Sequence, residues 1–189
     1  MALYTGQGDA GTTKVLSSKT RFSKASERAE ALGSLDEVNS FIGLCKVRAR
    51  EEQLDPIRDK HGDHEVSQLL HEVQENLFII QAEMAGADMQ LTKEKLDATE
   101  SLMEAVSQEV EPITQFSIPG SGELPAMLDV ARTQVRRMER HVVAVHDSGE
   151  HVLGEHTIAY CNRLSSLFFG LARLVEVRQG LEDAHPSYR

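Results

Sequence analysis

A chain of 189 residues that is 40% hydrophobic and 26% charged can bury one core without a disulfide scaffold. Its formal charge of -10 argues against a general affinity for nucleic acid, whose phosphates need a basic face, and no stretch approaches the ~18 continuous apolar residues of a membrane span. Cys45 and Cys161 lie in apolar helical contexts without C-x-x-C pairing, and residues 1–13 lack the basic-then-apolar order of a signal peptide. A soluble cytoplasmic protein with reduced thiols is therefore expected.

Residues 1–24 are rich in Gly, Thr, Ser and Lys without a sustained period and read as a loop or ligand-ordered arm. From Ser26 the apolar positions Leu32, Leu35, Val38, Ile42 and Cys45 recur at three- and four-residue steps, predicting a first helix to about Glu52. Asp55 to Asp63, with Pro56 and Gly62, reads as a connection. Val66, Leu69, Leu70, Val73, Leu77, Ile80 and Met84 then mark a second helix ending near Gly86. Thr92 can cap a third that buries Leu96, Leu102, Met103 and Val106, with Pro112 past its end. The loop Phe116 to Gly122 leads into a fourth helix carrying Leu128, Ala131, Val135, Met138, Val142 and Val145. A fifth runs from about His151, with Ile158, Leu164, Leu167, Phe168, Leu171 and Val175 inward. No run of period-two alternation stands out, so the expected fold is all-α: one domain over 1–189, with a five-helix up-and-down bundle at 25–180 and a tail at 181–189.

Charge is concentrated at Arg132, Arg136, Arg137 and Arg140, and a small polyanion should bind there if anywhere. At ~100° per residue, Arg132, Arg136 and Glu139 share an arc beside the apolar stripe. Such an arc is either a solvated salt-bridged face or a triphosphate grip, in which two planar guanidinium forks one turn apart hold adjacent phosphates. The run Thr5 to Thr13 has the glycines to wrap backbone N–H groups around phosphate, or else is a disordered terminus. It is no Walker loop: Gly6 and Gly11 have the spacing, but Thr12 stands where Lys is needed. Asn162 and Arg163, mid-helix among apolar residues, need partners and could be structural. His141, His146, His151 and His156 recur every five residues, which rotates them around a helix, and no His or Cys metal site is expected.

In order and spacing, four blocks resemble the PduO-type ATP:cob(I)alamin adenosyltransferases over nearly the whole chain. They are Tyr4-Thr5 with Gly8-Asp9, Gly11-Thr12-Thr13 and Lys24; Gly33 to Asn39; Phe116 to Gly120; and Ala131-Arg132-Thr133 with Arg136 to Arg140, followed by Asn162-Arg163-Leu164-Ser165. The resemblance implies a ferritin-like bundle assembled as a homotrimer, with ATP and corrinoid sharing sites between subunits. It also implies transfer of the adenosyl group of ATP to the cobalt of cob(I)alamin or a related corrinoid, with triphosphate and Mg²⁺ involved. By similarity Thr5, Gly8, Thr12 and Lys24 fold over ATP, Arg136, Glu139 and Asn162 bind the nucleotide, and Asp36 pairs with Arg132 of a neighbouring subunit. Phe116 is the aromatic residue that crowds the lower face of the corrin. A reductase for Co(II) and an adenosylcobalamin-dependent enzyme are implied as partners. The sequence departs from the family pattern at Asp129, where His is common, at Met138, where Ala is common, and at Ser166, where Asp is usual; Ser17-Ser18-Lys19 replaces a Gly-Gly in the arm. A non-catalytic corrinoid or nucleotide carrier is the competing reading and a helical adaptor a third; release of triphosphate separates enzyme from carrier.

Overall fold

The computed structural model describes residues 3–15, 20–112, 114–182 and 184–188, so the Ser17-Ser18-Lys19 segment lies outside the described residues. Five helices carry the chain: α1 (Glu27–Glu52), α2 (Val66–Met84), α3 (Lys93–Glu109), α4 (Glu123–Asp147) and α5 (Glu155–Gln179). α1 packs on α2 and α4, α5 packs on α4, and α3 lies against α5. The apolar stripes read from the sequence meet inside. Leu35, Ile42, Leu70, Leu77, Leu128, Val135, Leu164 and Phe168 are all buried, and each side chain of this size contributes roughly 1.5–3 kcal/mol on burial. No helix among the described residues is long and apolar enough to cross a membrane.

Side chains from neighbouring elements fix the helix ends. The Ser26 hydroxyl accepts from the Ala29 N–H at 3.2 Å and starts α1. Arg28 donates through Nε and Nη2 to the Met84 carbonyl at 2.9 and 2.7 Å, filling an acceptor left open at the end of α2. Thr92 occupies the position before α3 but makes no side-chain cap bond. α5 begins at Glu155, four residues later than the periodicity suggests. The cause is tertiary: the buried Glu83 carboxylate of α2 accepts from the N–H of Gly154, the residue before α5, at 2.7 Å and from the Thr157 hydroxyl in its first turn at 2.6 Å, which fixes the start of the helix there. Gly180, at φ +62°, ends α5 in the left-handed turn that a Cβ would strain.

Two short hairpins are additions to the all-helical expectation. In the arm, β1 (Thr12–Thr13) pairs with β2 (Phe22–Ser23). In the segment expected to be a plain connection, β3 (Ile57–Asp59) pairs with β4 (Gly62–His64). Strands of two and three residues are too short to show a period. The second hairpin is pinned to α3 by Asp59, whose carboxylate accepts from Ser101 Oγ at 2.8 Å, the His61 N–H at 2.7 Å and His64 Nε2 at 2.9 Å.

Candidate active site

α4 places Arg132 and Arg136 one turn apart, and both line a cavity of about 560 Å³. The facing wall comes from Ser165, Ser166 and Phe169 of α5, and the mouth from Thr114, Gln115, Phe116, Ser117 and Pro119. Three residues expected at the site from sequence, Phe116, Arg132 and Arg136, thus converge on one cavity. Phe116 is 78% exposed at its mouth. An apolar ring held in water gains from a flat apolar cover. Its loop is tied to the C-terminal segment: the Ile118 N–H donates to the Ala184 carbonyl at 2.7 Å, and His185 Nδ1 lies 3.0 Å from the Phe116 carbonyl. The sequence reading of the tail offered no hint of this contact, because a single β-bridge has no periodic signature.

The arginine cluster divides by role. Arg137 leaves the cavity and pairs with Glu37 of α1 at 2.5 Å. Arg140 turns back to the Arg136 carbonyl at 2.9 Å. Arg136 is exposed, and its guanidinium has no carboxylate partner among the described residues. Arg132 is held instead: its side chain is 27% exposed, its Nε donates to Asp129 Oδ1 at 3.1 Å, and its guanidinium sits 5.9 Å from the centre of the Phe169 ring. One turn beyond Arg136, the Glu139 carboxylate accepts from Asn162 Nδ2 of α5 at 3.1 Å. Arg163 beside it donates to Asn162 Oδ1 at 3.0 Å and pairs with Glu100 of α3 at 2.8 Å. The Asn162 amide is thereby oriented, with Glu139 and Arg136 following each other along α4.

Beneath the cavity a chain of buried charge crosses the bundle. Asp129 Oδ2 accepts from Arg173 Nη2 at 2.8 Å, Arg173 Nε lies 3.0 Å from Glu176 Oε2, and Glu176 accepts from the Ser121 hydroxyl. Asp129, Phe169, Arg173 and Glu176 were not singled out as site residues from sequence. Asp129 and Arg173 stand 44 residues apart, and only the packing of α4 on α5 joins them.

The arm is a compact unit of its own. Arg21 donates through Nε to Thr12 Oγ1 at 2.8 Å and through Nη2 to the Gln7 and Thr12 carbonyls at 2.6 and 2.7 Å. A Cβ built on Gly8 would stand 3.1 Å from Lys24 Nζ and 3.5 Å from the Thr12 carbonyl. Gly8, Thr12 and Lys24 are therefore together, and glycine is what lets Lys24 lie across the turn. Thr5 Oγ1 faces the Gln7 N–H at 3.5 Å. None of these arm residues lines the cavity, nor does Asp36, which is exposed on α1.

A family model described as cobalamin adenosyltransferase matches residues 3–175, and this span takes in the cavity, α1 to α4 and all but the last four residues of α5. The chain belongs to the cobalamin adenosyltransferase family. It is an enzyme, a corrinoid adenosyltransferase of the PduO type. The corrinoid adenosyltransferase of Bacillus subtilis (strain 168) is 35% identical over 187 residues, 97% of this chain and 91% of that protein. The corrinoid adenosyltransferase PduO of Salmonella typhimurium is 34% identical over 99% of this chain, which spans 52% of that longer protein. A solved variant of a PduO-type ATP:corrinoid adenosyltransferase from Lactobacillus reuteri, complexed with cobalamin and ATP, superposes with a TM-score of 0.82 at 26% identity. The match covers 98% of this chain and 99% of that one.

The two cysteines take no part in this adenosyltransferase site. Both are buried and free, and burial pushes each thiol up to about 12, well above the usual thiol range.

Proposed function

We propose that the cavity between α4, α5 and the Phe116 loop seats the corrinoid, that Arg136, Glu139 and Asn162 bind ATP beside it, and that the arm closes on the nucleotide through Thr5, Gly8, Thr12 and Lys24. The observation that carries this reading is the convergence of Phe116, Arg132 and Arg136 on one cavity, with an arginine that has no carboxylate partner among the described residues. An uncompensated guanidinium next to a cavity is a vacancy for an anion, and triphosphate fits it.

In the reaction Co(I) attacks the 5′ carbon of ATP, the C5′–O bond breaks and triphosphate leaves with the electron pair. No protein nucleophile is needed. The chain holds the two substrates in line, and Arg136 takes up the charge that grows on the departing triphosphate. Mg²⁺ accompanies the phosphates. Phosphate oxygens and water would be among its ligands. Phe116 at the mouth acts on the lower face of the corrin by excluding water and the axial nitrogen ligand, which eases reduction of Co(II).

The working unit is a homotrimer in the cytoplasm, supplied by a Co(II) reductase and serving an adenosylcobalamin-dependent enzyme. Support comes from exposed apolar side chains, Leu44 and Val47 of α1 and Val130 of α4, and from Asp36, exposed on the same helix α1.

The test is anaerobic formation of the cobalt–carbon bond from ATP and chemically reduced corrinoid, with release of triphosphate, for the wild type and for Arg136→Ala. A charge-assisted contact to ligand is worth about 1.5–3 kcal/mol, so the variant should lose at least tenfold in kcat/KM at unchanged helical content. Wild-type turnover in Arg136→Ala removes the phosphate assignment, and binding without triphosphate release makes the chain a carrier.

A further inference from the structure

Arg132 enters the cavity already constrained, and the constraint comes from a residue that the sequence pattern does not explain. Asp129 is 5% exposed and has one carboxylate oxygen for each of two arginines: Oδ1 accepts from Arg132 Nε at 3.1 Å and Oδ2 from Arg173 Nη2 at 2.8 Å. Both guanidinium groups flank the same aromatic ring, at 5.9 and 5.6 Å from the centre of Phe169. Arg173, at 4% exposure, also reaches Glu176. Remove Asp129 and Arg132 loses its carboxylate among the described residues, while Arg173 loses one of the carboxylates that compensate its buried charge.

The way Arg132 is held matters. Asp129 takes its Nε, the nitrogen nearest the backbone, and neither terminal nitrogen has a hydrogen-bond partner among the described residues. The ring below and the carboxylate behind fix the plane of the guanidinium, and its outer edge stays open toward the cavity lined by Arg132, Phe116 and Ser166. A fork fixed in this way loses little rotamer entropy when it meets an anionic or amide oxygen.

We infer that Asp129 is a positioning residue for the adenosyl transfer: it orients Arg132 through Nε, with Arg173 and Phe169 as the other two sides of the clamp, so that a terminal nitrogen of Arg132 is presented to the substrate side of the cavity. The inference rests on the cavity being the corrinoid site.

The test is a double-mutant cycle on the full-length enzyme with ATP and chemically reduced cobalamin. Asp129→Asn should lower kcat at least tenfold, with the KM for ATP changed less than threefold. Arg132→Lys keeps the charge but has no Nε to be held. In that background Asp129→Asn should cost less than twofold further, while its effect on Tm is the same in both backgrounds. A residue that only supports the bundle would cost the same factor in each background, and that result overturns the proposal. So does an Asp129→Asn enzyme with unchanged kcat. If Asp129→Asn does not fold, Asp129→Glu keeps the charge and moves the oxygens outward by one methylene; it should still lose kcat about fivefold or more, and wild-type turnover there also overturns the proposal. The cavity assignment fails separately, by a wild type without adenosylation or by an unaffected Arg136→Ala.

Discussion

Phe116 is an apolar residue in an environment unlike its chemistry. A phenylalanine at 78% exposure, on a loop tied down by the Ile118–Ala184 bridge and the His185 contact, is held in water by its backbone and not by its ring. The loop invests its order in keeping that ring at the mouth of the cavity, where burying it against a substrate returns up to about 1.5–3 kcal/mol. Phe116→Ala should leave the fold and ATP binding intact, because neither uses the ring. Water or the axial base should then reach the lower face of cobalt, so the four-coordinate Co(II) signal recorded with ATP present should fade. Adenosylation of corrinoid supplied as Co(I) should suffer less than adenosylation that begins from Co(II). An unchanged Co(II) spectrum in Phe116→Ala would refute this role. Arg136 and Arg132 illustrate the same point from the other side: both lie next to the apolar stripe of α4, yet of the two only Arg132 has a carboxylate partner among the described residues.

At the scale of elements, the hairpin of β3 and β4 is non-helical structure fastened into the bundle by a charge. The Asp59 side chain is 2% exposed, and burial alone would raise its pKa. The bonds from Ser101, the His61 N–H and His64 outweigh that and hold the carboxyl at about 2. A folded-state value below the unfolded one means the contribution is fully present above the unfolded value near 4, and is lost as pH falls through the folded value near 2. It amounts to roughly 2 kcal/mol. Asp59→Asn should therefore be less stable than wild type at pH 7, and the difference should close between about pH 4 and pH 2. Urea unfolding at several pH values reads this directly, and a gap that stays constant down to pH 2 would assign the loss to packing. The helices themselves were legible because Leu35, Ile42, Leu70, Leu128 and Leu164 recur at helical spacing, and α1 begins where Ser26 announces it. The start of α5 was misplaced because the carboxylate that fixes it is Glu83, on a helix 71 residues away. The hairpins and the Asp129–Arg173 pair escaped for a related reason: a pairing made across the fold leaves no local period.

For the whole molecule, the bundle is a closed core with an open working face. The apolar interior is complete within one chain, whereas Leu44, Val47 and Val130 stay exposed on α1 and α4, the helices that also carry Asp36 and Arg132. A carboxylate exposed on one helix and, on another, a guanidinium whose two terminal nitrogens have no hydrogen-bond partner among the described residues are complementary. Assembly with a neighbouring copy would bring such groups together, and a charge-assisted contact of this kind contributes about 1.5–3 kcal/mol when water is excluded from it. Asp36→Asn should shift the size-exclusion profile toward smaller species at low protein concentration and make Tm more dependent on concentration, because association with a neighbouring copy stabilises the folded state. Arg132→Ala should do the same. Because both changes remove one shared contact, the double variant should lose less than the sum of the single losses, by 1 kcal/mol or more. Asp129 sharpens the expectation: it occupies Arg132 Nε and not the terminal nitrogens, so the intrachain bond and the contact to Asp36 of a neighbouring copy can coexist. Strict additivity of Asp36→Asn and Arg132→Ala, in both assembly and turnover, would show that the two residues act independently and that Arg132 serves its own cavity alone.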